Sequence, residues 1–220
     1  MIVEMKTLFV AFFFILSGVV NAATGEYPLA DVDIGQDEES LKRGAMIYYN
    51  LCRMCHNMKY IRYQHLAEIG FDEKEINDLR GDKLASTKFM STASDENITE
   101  LYGMVPPDLS VMAKARKKGP QYIYTLLTSY YEKSENIYDN RFFPNIKMPD
   151  IFGYSVTMND AEKLAIENQA KDVTAYLLWA SDPRAQERKT LGVYVIGYLF
   201  VLSLMFYFVM KRVWSRLDTH

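Results

Sequence analysis

The sequence predicts a mostly α-helical domain followed by a single membrane-spanning helix near the C-terminus. Apolar residues recur at helical spacing through the middle of the 220-residue chain, and no segment shows convincing strand alternation. Residues 191–210 contain no charged side chain. The chain is 49% hydrophobic and 14% aromatic, which is too apolar for a disordered protein. Its formal net charge of −3 excludes a nucleic-acid partner that requires a broad basic face.

The N-terminus has the composition of a secretory signal. Lys6 precedes an apolar run at residues 8–16, and small residues follow up to the sequence Val20-Asn21-Ala22. We therefore predict that residues 1–22 are a cleaved signal peptide. The alternative is a retained membrane anchor, but the apolar run is short for a membrane span.

The apolar stretch at residues 191–210 is long enough for a membrane anchor. Twenty helical residues cover about 30 Å, the thickness of the hydrocarbon core. Lys211 and Arg212 end the stretch, and Trp214 lies at interfacial depth. The alternative is a buried core helix. Because a signal peptide would export residues 23–190, we predict a periplasmic domain on the bacterial inner membrane, with residues 211–220 as a cytoplasmic tail.

Helical periods and capping residues predict four helices within residues 23–190. Their expected starts are Ser40, Asp108, Pro120 and the capping pair Asn159–Glu162. The first helix should carry Leu41, Ala45 and Tyr48 on the face that continues to two cysteines. The second should end at Gly119, the third should include Tyr130, and the fourth should end before Pro183. Residues 68–105 are expected to be mostly loop with short helices, and residues 132–158 a long loop, which is often functional.

The strongest chemical signal is the sequence Cys52-Arg53-Met54-Cys55-His56. It is the C-x-x-C-H pattern that attaches a c-type haem. Cysteines three apart on a helix share one face, so both thiols can bond one porphyrin. His56 follows directly and is predicted as an axial ligand of the iron. The domain is therefore expected to wrap around one covalently attached haem.

Three other uses of these residues are weighed against haem attachment. A disulfide between Cys52 and Cys55 would be strained. A thioredoxin-like redox pair would need a preceding strand and a βαβ pattern, which the sequence lacks. A zinc site would need four ligands, and only His65 and His220 remain as further histidines.

A methionine is the favoured sixth ligand of the iron. Met148 lies in the long loop between Pro144 and Pro149, and the following proline biases it toward an extended backbone. A thioether ligand would favour the reduced iron. Spacing alone leaves His65 and three other methionines open, namely Met104, Met112 and Met158.

Several motifs in order resemble the cytochrome c1 family over roughly residues 41–216. They are RGAMIYYNLCRMCHNM, IRYQHL, VPPDLSVMAKAR, YIYTLLTSYYE, the Met-Pro loop and LLWASDPRAQERK, followed by the anchor. The C-x-x-C-H pattern alone indicates only a c-type cytochrome. The sequence PPDLS with Arg116 after five further residues, together with LLWASDP and the C-terminal anchor, is much more specific. Residues 72–104 match poorly, and the family's Met-Ala-Pro-Pro sequence is here Met148-Pro149-Asp150-Ile151.

The resemblance implies roles for individual residues. Cys52 and Cys55 would form the thioethers, with His56 and Met148 as the two iron ligands. Arg116 would neutralise a haem propionate, and Tyr122 would lie on the propionate side. Pro106 and Pro107 would pack against the haem. Arg116 is also seven residues from Leu109, so a shared helical face is expected, and a cation there needs an anion.

The resemblance also implies a function and partners. The chain would be a one-electron carrier of the quinol–cytochrome c oxidoreductase (cytochrome bc1) complex and not catalytic alone. It would take electrons from a Rieske iron–sulfur subunit and pass them to a cytochrome c. The cytochrome b subunit and membrane lipid would be its other partners, within a dimeric complex. One alternative is a free-standing membrane-anchored monohaem cytochrome that serves a terminal oxidase. Another is a haem enzyme with an open iron site.

Overall fold

The computed structural model describes residues 27–216, and the predicted signal peptide lies outside this range. Helices dominate the regular structure, which confirms the predicted fold class. The α-helices are α1 (Glu38–Asn50), α2 (Glu73–Arg80), α3 (Asp95–Tyr102), α4 (Met112–Ala115), α5 (Gly119–Leu127), α6 (Asp160–Ala180) and α7 (Ala185–Trp214). Two 3-10 helices cover Cys52–Met54 and Tyr63–Ile69. The strands are β1 (Met58–Arg62), β2 (Lys88–Phe89), β3 (Tyr130–Ser134) and β4 (Ile137–Asn140).

The core forms where α1 packs against α6. The buried face of α1 consists of Leu41, Gly44, Ala45 and Tyr48, as its helical period predicts. The cap of α1 differs from the prediction: Asp37, not Ser40, is the N-cap, and its Oδ1 accepts the Ser40 N–H at 2.9 Å. The Asp37 carboxylate accepts the amide three residues further along the chain, which leaves Ser40 inside the first turn.

The two central helices approach most closely at Gly44. A Cβ atom built on this glycine would lie 2.0 Å from the Asp172 carbonyl oxygen, well inside van der Waals contact. The neighbouring Arg43 donates from Nε to Asp172 Oδ2 at 2.7 Å. The absence of a side chain at residue 44 therefore sets the spacing of α1 and α6, and α1 leads directly into the cysteine motif.

Two predicted helices have different bounds in the structure. Asp108 does not begin a helix: its Oδ1 accepts the Ser110 N–H at 2.8 Å, and α4 starts only at Met112. Gly119 does not end α4 but begins α5, with Pro120 in its first turn. The side chain of Asp108 closes a local turn, and this turn competes with helix formation.

Strands replace part of the predicted third helix and of the long loop. Tyr130 lies in β3, three residues after α5 ends at Leu127, and β3 pairs with β4 in an antiparallel hairpin. Residues 132–158 are therefore a loop only after Asn140. A second two-stranded sheet joins β1 to β2. These strands were not predicted because they are short and mostly exposed, so alternation of apolar residues is weak.

The fourth predicted helix is confirmed as α6. Asn159 is its N-cap and accepts the Ala161 N–H at 2.8 Å, and the helix ends at Ala180, before Pro183. Among the described residues, 187–214 in α7 form the one helical stretch that is long and apolar enough to cross a membrane. None of its most apolar part is buried against the rest of the chain. This stretch contains the predicted span at residues 191–210.

A buried carboxylate joins the domain to α7. The side chain of Asp182, 7% exposed, lies in the turn between α6 and α7. It accepts hydrogen bonds from Arg188 in α7, and Lys114 Nζ of α4 lies 3.0 Å from its Oδ2. Arg188 first, and Lys114 second, lower the pKa of Asp182 to about 2. This carboxylate links the start of the anchor helix to α4.

We expect Asp182→Asn to lower the free energy of unfolding at pH 7. The folded pKa is lowered, so the charged contribution is present above the unfolded value of 3.8 and is lost as pH falls through about 2. The difference in free energy of unfolding between the variant and the wild type should therefore shrink between pH 4 and about pH 2. Urea unfolding in detergent at each pH would measure it. Asp78→Asn is the control, because Asp78 pairs with Lys74 at an exposed position of α2. If the free energies of unfolding of Asp182→Asn and the wild type differed as much near pH 2 as at pH 7, the stabilising role of the Asp182 carboxylate would be contradicted.

Candidate haem-binding site

The cysteine motif lies in a tight turn directly after α1. Cys52 begins the 3-10 helix, and both the Cys55 N–H (3.1 Å) and the His56 N–H (2.8 Å) donate to the Cys52 carbonyl. The expectation that α1 would continue through both cysteines is wrong, because α1 ends at Asn50. The hydrogen-bonded turn still brings the two cysteines and His56 together, and both thiols are free.

The environment of the Cys52 thiol does not favour thiol redox chemistry. Burial raises the pKa of the Cys52 thiol to about 12, which disfavours the reactive thiolate. Within residues 27–216, no cluster of three or more His, Cys, Asp or Glu side chains could hold a metal ion, so this range contains no zinc site of that kind. Covalent attachment of a porphyrin requires neither a thiol of lowered pKa nor a cluster of metal-binding side chains.

His56 is oriented for axial ligation through its ring nitrogen Nε2. Its Nδ1 lies 2.8 Å from the Pro107 carbonyl oxygen, and in the neutral ring the Nδ1–H donates to this oxygen. Burial lowers the pKa of His56, which favours the neutral form. A hydrogen bond at Nδ1 fixes both the tautomer and the ring plane, which leaves the Nε2 lone pair available to a metal ion.

The segment that supplies the Pro107 carbonyl is held beside the cysteine motif. The Leu109 N–H donates to the Asn57 carbonyl at 2.9 Å, and the Lys59 N–H donates to Asp108 Oδ2 at 3.1 Å. From the other side, the fully buried Tyr48 of α1 donates its hydroxyl to the His56 carbonyl at 3.0 Å. The backbone of His56 and its ring are therefore fixed by separate parts of the chain.

Met148 is more enclosed by the chain than two of the other candidate ligands, Met104 and Met158. It is half-buried against the core, and its carbonyl oxygen accepts the Tyr130 hydroxyl at 3.0 Å. Met158 is 96% exposed and Met104 is 50% exposed, so neither is enclosed by the described chain. Met112 also packs against the core, and burial alone does not separate it from Met148.

His65 is engaged in a local cap. Its Nδ1 accepts the Arg62 N–H at 3.3 Å at the start of the 3-10 helix Tyr63–Ile69. This interaction closes the first turn of that helix. The structure therefore gives His65 a role in local folding that does not involve an iron atom.

The residues expected on the propionate side lie near one another. The guanidinium of Arg116 lies 5.6 Å from the ring centroid of Tyr122, and Tyr122 packs against the core. The expected helical face shared by Arg116 and Leu109 does not form, because Arg116 follows α4 with an extended backbone. Arg116 is exposed, Pro106 is half-buried, and Pro107 acts through its carbonyl oxygen.

The residues present fit a covalent haem. Two free thiols and an imidazole with its Nδ1 engaged occupy a single turn, and a backbone carbonyl at Nδ1 is a common arrangement for a metal-ligating histidine. This donor set on a helical domain, together with an exposed apolar helix among residues 27–216, is typical of a membrane-anchored c-type cytochrome.

Comparisons with known proteins identify the family. The model of the cytochrome C1 family matches residues 34–100 and 82–217. Cytochrome c1 of Allochromatium vinosum is 29% identical over 249 residues, covering 98% of this chain and 100% of that protein. "Cytochrome c1 1, heme protein, mitochondrial" of Arabidopsis thaliana is 30% identical over 210 residues, covering 81% of this chain and 67% of that protein. "Cytochrome b/c1" of Bradyrhizobium diazoefficiens is 29% identical over 234 residues, covering 84% of this chain and 34% of that protein.

The chain belongs to the cytochrome c1 family, as the motifs predict. Members of this family carry a covalently attached c-type haem. Family membership implies an electron-transfer subunit of the cytochrome bc1 complex and, together with the apolar helix, a membrane-anchored protein.

Sequence reasoning missed several residues that position the site. It did not single out the hydroxyl of Tyr48 or the side chain of Asn57, and it treated Pro107 only as a packing residue. Asn57 is buried and also accepts the Ser91 N–H at 2.8 Å, which fixes the chain after β2 beside the cysteine motif. A polar residue directly after a haem motif is a weak signal, because such contacts join residues far apart in sequence.

Proposed function

We propose that this chain is the haem subunit that takes electrons from the Rieske iron–sulfur subunit and passes them to a cytochrome c. The observation that carries the proposal is the His56–Pro107 contact next to two free thiols, in a chain of the cytochrome c1 family. A covalent haem would supply an iron that alternates between the ferric and ferrous states. The protein residues would hold the haem and set its potential.

Individual residues have distinct parts in this proposal. Cys52 and Cys55 would hold the porphyrin, and His56 and Met148 would ligate the iron. With both residues bound, the iron would have no position open to a substrate, which would suit electron transfer. Arg116 pairs with a propionate, and Tyr122 with Pro106 and Pro107 shapes the surrounding pocket.

The proposed assembly follows from the anchor and from the relatives. Residues 1–22 direct export, residues 23–190 form the periplasmic domain, residues 191–210 span the inner membrane, and residues 211–220 form a cytoplasmic tail. One relative carries the name cytochrome b/c1, which supports a cytochrome b subunit as the partner of this chain. The complex would contain two copies of each subunit.

A redox difference spectrum of the tagged full-length chain, purified in mild detergent, tests the assembly. We expect a c-type band together with b-type bands, all reducible by added quinol, if the complex stays intact. Purification of the same chain carrying Cys52→Ser and Cys55→Ser is the control for the c-type band. A lone c-type band without b haem would overturn the assembly and favour the free-standing cytochrome.

A further inference from the structure

Two buried polar residues at the end of β4 have no assigned role. Asp139 is 7% exposed and Asn140 is fully buried, and they immediately precede residues 141–148, which we call the ligand loop. Burial of polar side chains is costly unless they form hydrogen bonds. The partners of Asp139 and Asn140 therefore indicate which parts of the chain this pair joins.

Asn140 connects α5 to the beginning of the ligand loop. Its Nδ2 donates to the Leu126 carbonyl at 2.8 Å, in the last turn of α5. Its Oδ1 accepts the N–H groups of Phe142 (3.0 Å) and Phe143 (2.9 Å). One buried side chain thus binds both a helix end and the loop that leads to Met148.

Asp139 extends this attachment further along the ligand loop. Its Oδ1 accepts the Asn140 N–H at 2.8 Å and the Asn145 N–H at 2.7 Å, and Lys133 Nζ lies 3.3 Å from its Oδ2. The two amide donors lower the pKa of Asp139, so the carboxylate stays charged at neutral pH. Asn145, three residues before Met148, has a φ of 63°, a conformation that its bond to Asp139 helps to hold.

The far end of the ligand loop returns to the same place. Tyr130 pairs with Asn140 across the β3–β4 sheet, and its hydroxyl donates to the Met148 carbonyl at 3.0 Å. Both ends of the loop are therefore attached to one cross-strand pair. In addition, Phe142 contacts Tyr122 edge-on, with the ring centroids 5.1 Å apart. A loop fixed at its start, middle and end loses little further entropy when its methionine binds a metal.

We propose that Asn140 is a positioning residue for Met148. By tying the ligand loop to the end of α5, it holds the thioether where the iron requires it and excludes competing ligands. This inference rests on the proposed function, in which Met148 is the sixth ligand. It concerns the strength of the methionine–iron bond and not the attachment of the haem at Cys52 and Cys55.

Three variants of the haem-loaded, full-length protein in mild detergent test the role of Asn140. Asn140→Ala removes all three side-chain hydrogen bonds. Asn140→Asp keeps an acceptor for the loop amides and removes the donor to Leu126. Asn136→Gly is the matched control, because Asn136 is exposed at the tip of the same hairpin and its φ of 58° suits glycine. The far-red methionine–iron absorption band and the binding of added imidazole to the ferric haem are measured.

We expect Asn140→Ala to weaken the far-red band and to raise the affinity for imidazole roughly tenfold. A tenfold change corresponds to about 1.4 kcal/mol in the competition between imidazole and Met148 for the sixth position. Asn140→Asp should also weaken the band, because its carboxylate would face the Leu126 carbonyl at a fully buried position, and Asn136→Gly should change neither quantity. Unchanged bands and affinities in both Asn140 variants would overturn the proposal. Loss of covalent haem from both would also overturn it, since Asn140 would then serve the whole fold. A wild-type protein without the band would instead refute Met148 as the ligand.

Discussion

Replacing Met148 with alanine is expected to lower the reduction potential of the haem on the order of 100 mV, part of the roughly 0.8 V range that axial ligands span. The physical reason is that a thioether stabilises ferrous iron relative to ferric iron, and alanine provides no donor atom. The vacant position should also let the ferrous form bind carbon monoxide. Potentiometric titration and the ferrous spectrum under carbon monoxide measure the two effects.

Met158→Ala is the matched control for the Met148 experiment. Met158 lies in the same half of the chain but is 96% exposed, so its replacement should change neither the potential nor carbon monoxide binding. Met112→Ala is the critical comparison, because Met112 is the one rival candidate ligand, among Met104, Met112 and Met158, that packs against the core. If Met112→Ala lost the far-red band while Met148→Ala kept it, the ligand assignment would move to Met112.

Replacing Gly44 with alanine is expected to lower the free energy of unfolding by at least about 2 kcal/mol, in the range observed for overpacked cores. In an unconstrained helix the same change would be stabilising by about 1 kcal/mol, because alanine is the better helix former. Here the added Cβ would lie 2.0 Å from the Asp172 carbonyl, so α1 and α6 would have to separate. The backbone oxygen cannot rotate away as a flexible side chain could.

Thermal unfolding of the detergent-solubilised protein, with its covalent haem content, measures the effect at Gly44. Gly35→Ala is the control, because its Cβ would meet nothing closer than Asp37 Oδ2 at 3.6 Å. We expect a lower melting temperature and lower haem content for Gly44→Ala, since α1 leads directly into the cysteine motif. Equal melting temperatures for both variants and the wild type would show that the helix pair tolerates separation.

Local signals predicted the parts of the fold that depend on nearby residues. The buried face of α1, the cap of α6 at Asn159 and the end of α6 before Pro183 follow from spacing and capping chemistry within a few residues. The hairpin of β3 and β4 did not follow from such signals. Its stabilising contacts are cross-strand pairs and the buried Asn140, and these depend on packing against α5.

The candidate haem-attaching residues could be recognised in the sequence because the attachment motif consists of neighbouring residues. The C-x-x-C-H motif is complete within five consecutive positions, from Cys52 to His56, so it can be recognised locally. The orientation of His56 was not available in this way. It depends on the Pro107 carbonyl, fifty-one residues away, and no pattern in the sequence specifies that two such distant groups meet.

The sequence by itself determined the family, the covalent attachment motif, the helical class and the apolar stretch at residues 191–210. Residue identity and short-range spacing encode each of these features, and both can be recognised without knowledge of the folded structure. Tertiary structure alone decided which groups orient those residues: Pro107 for His56, Tyr130 for Met148, and Asp139 with Asn140 for the ligand loop. These groups are backbone carbonyls and buried polar side chains, whose partners are chosen by packing because an unpaired buried polar group is costly.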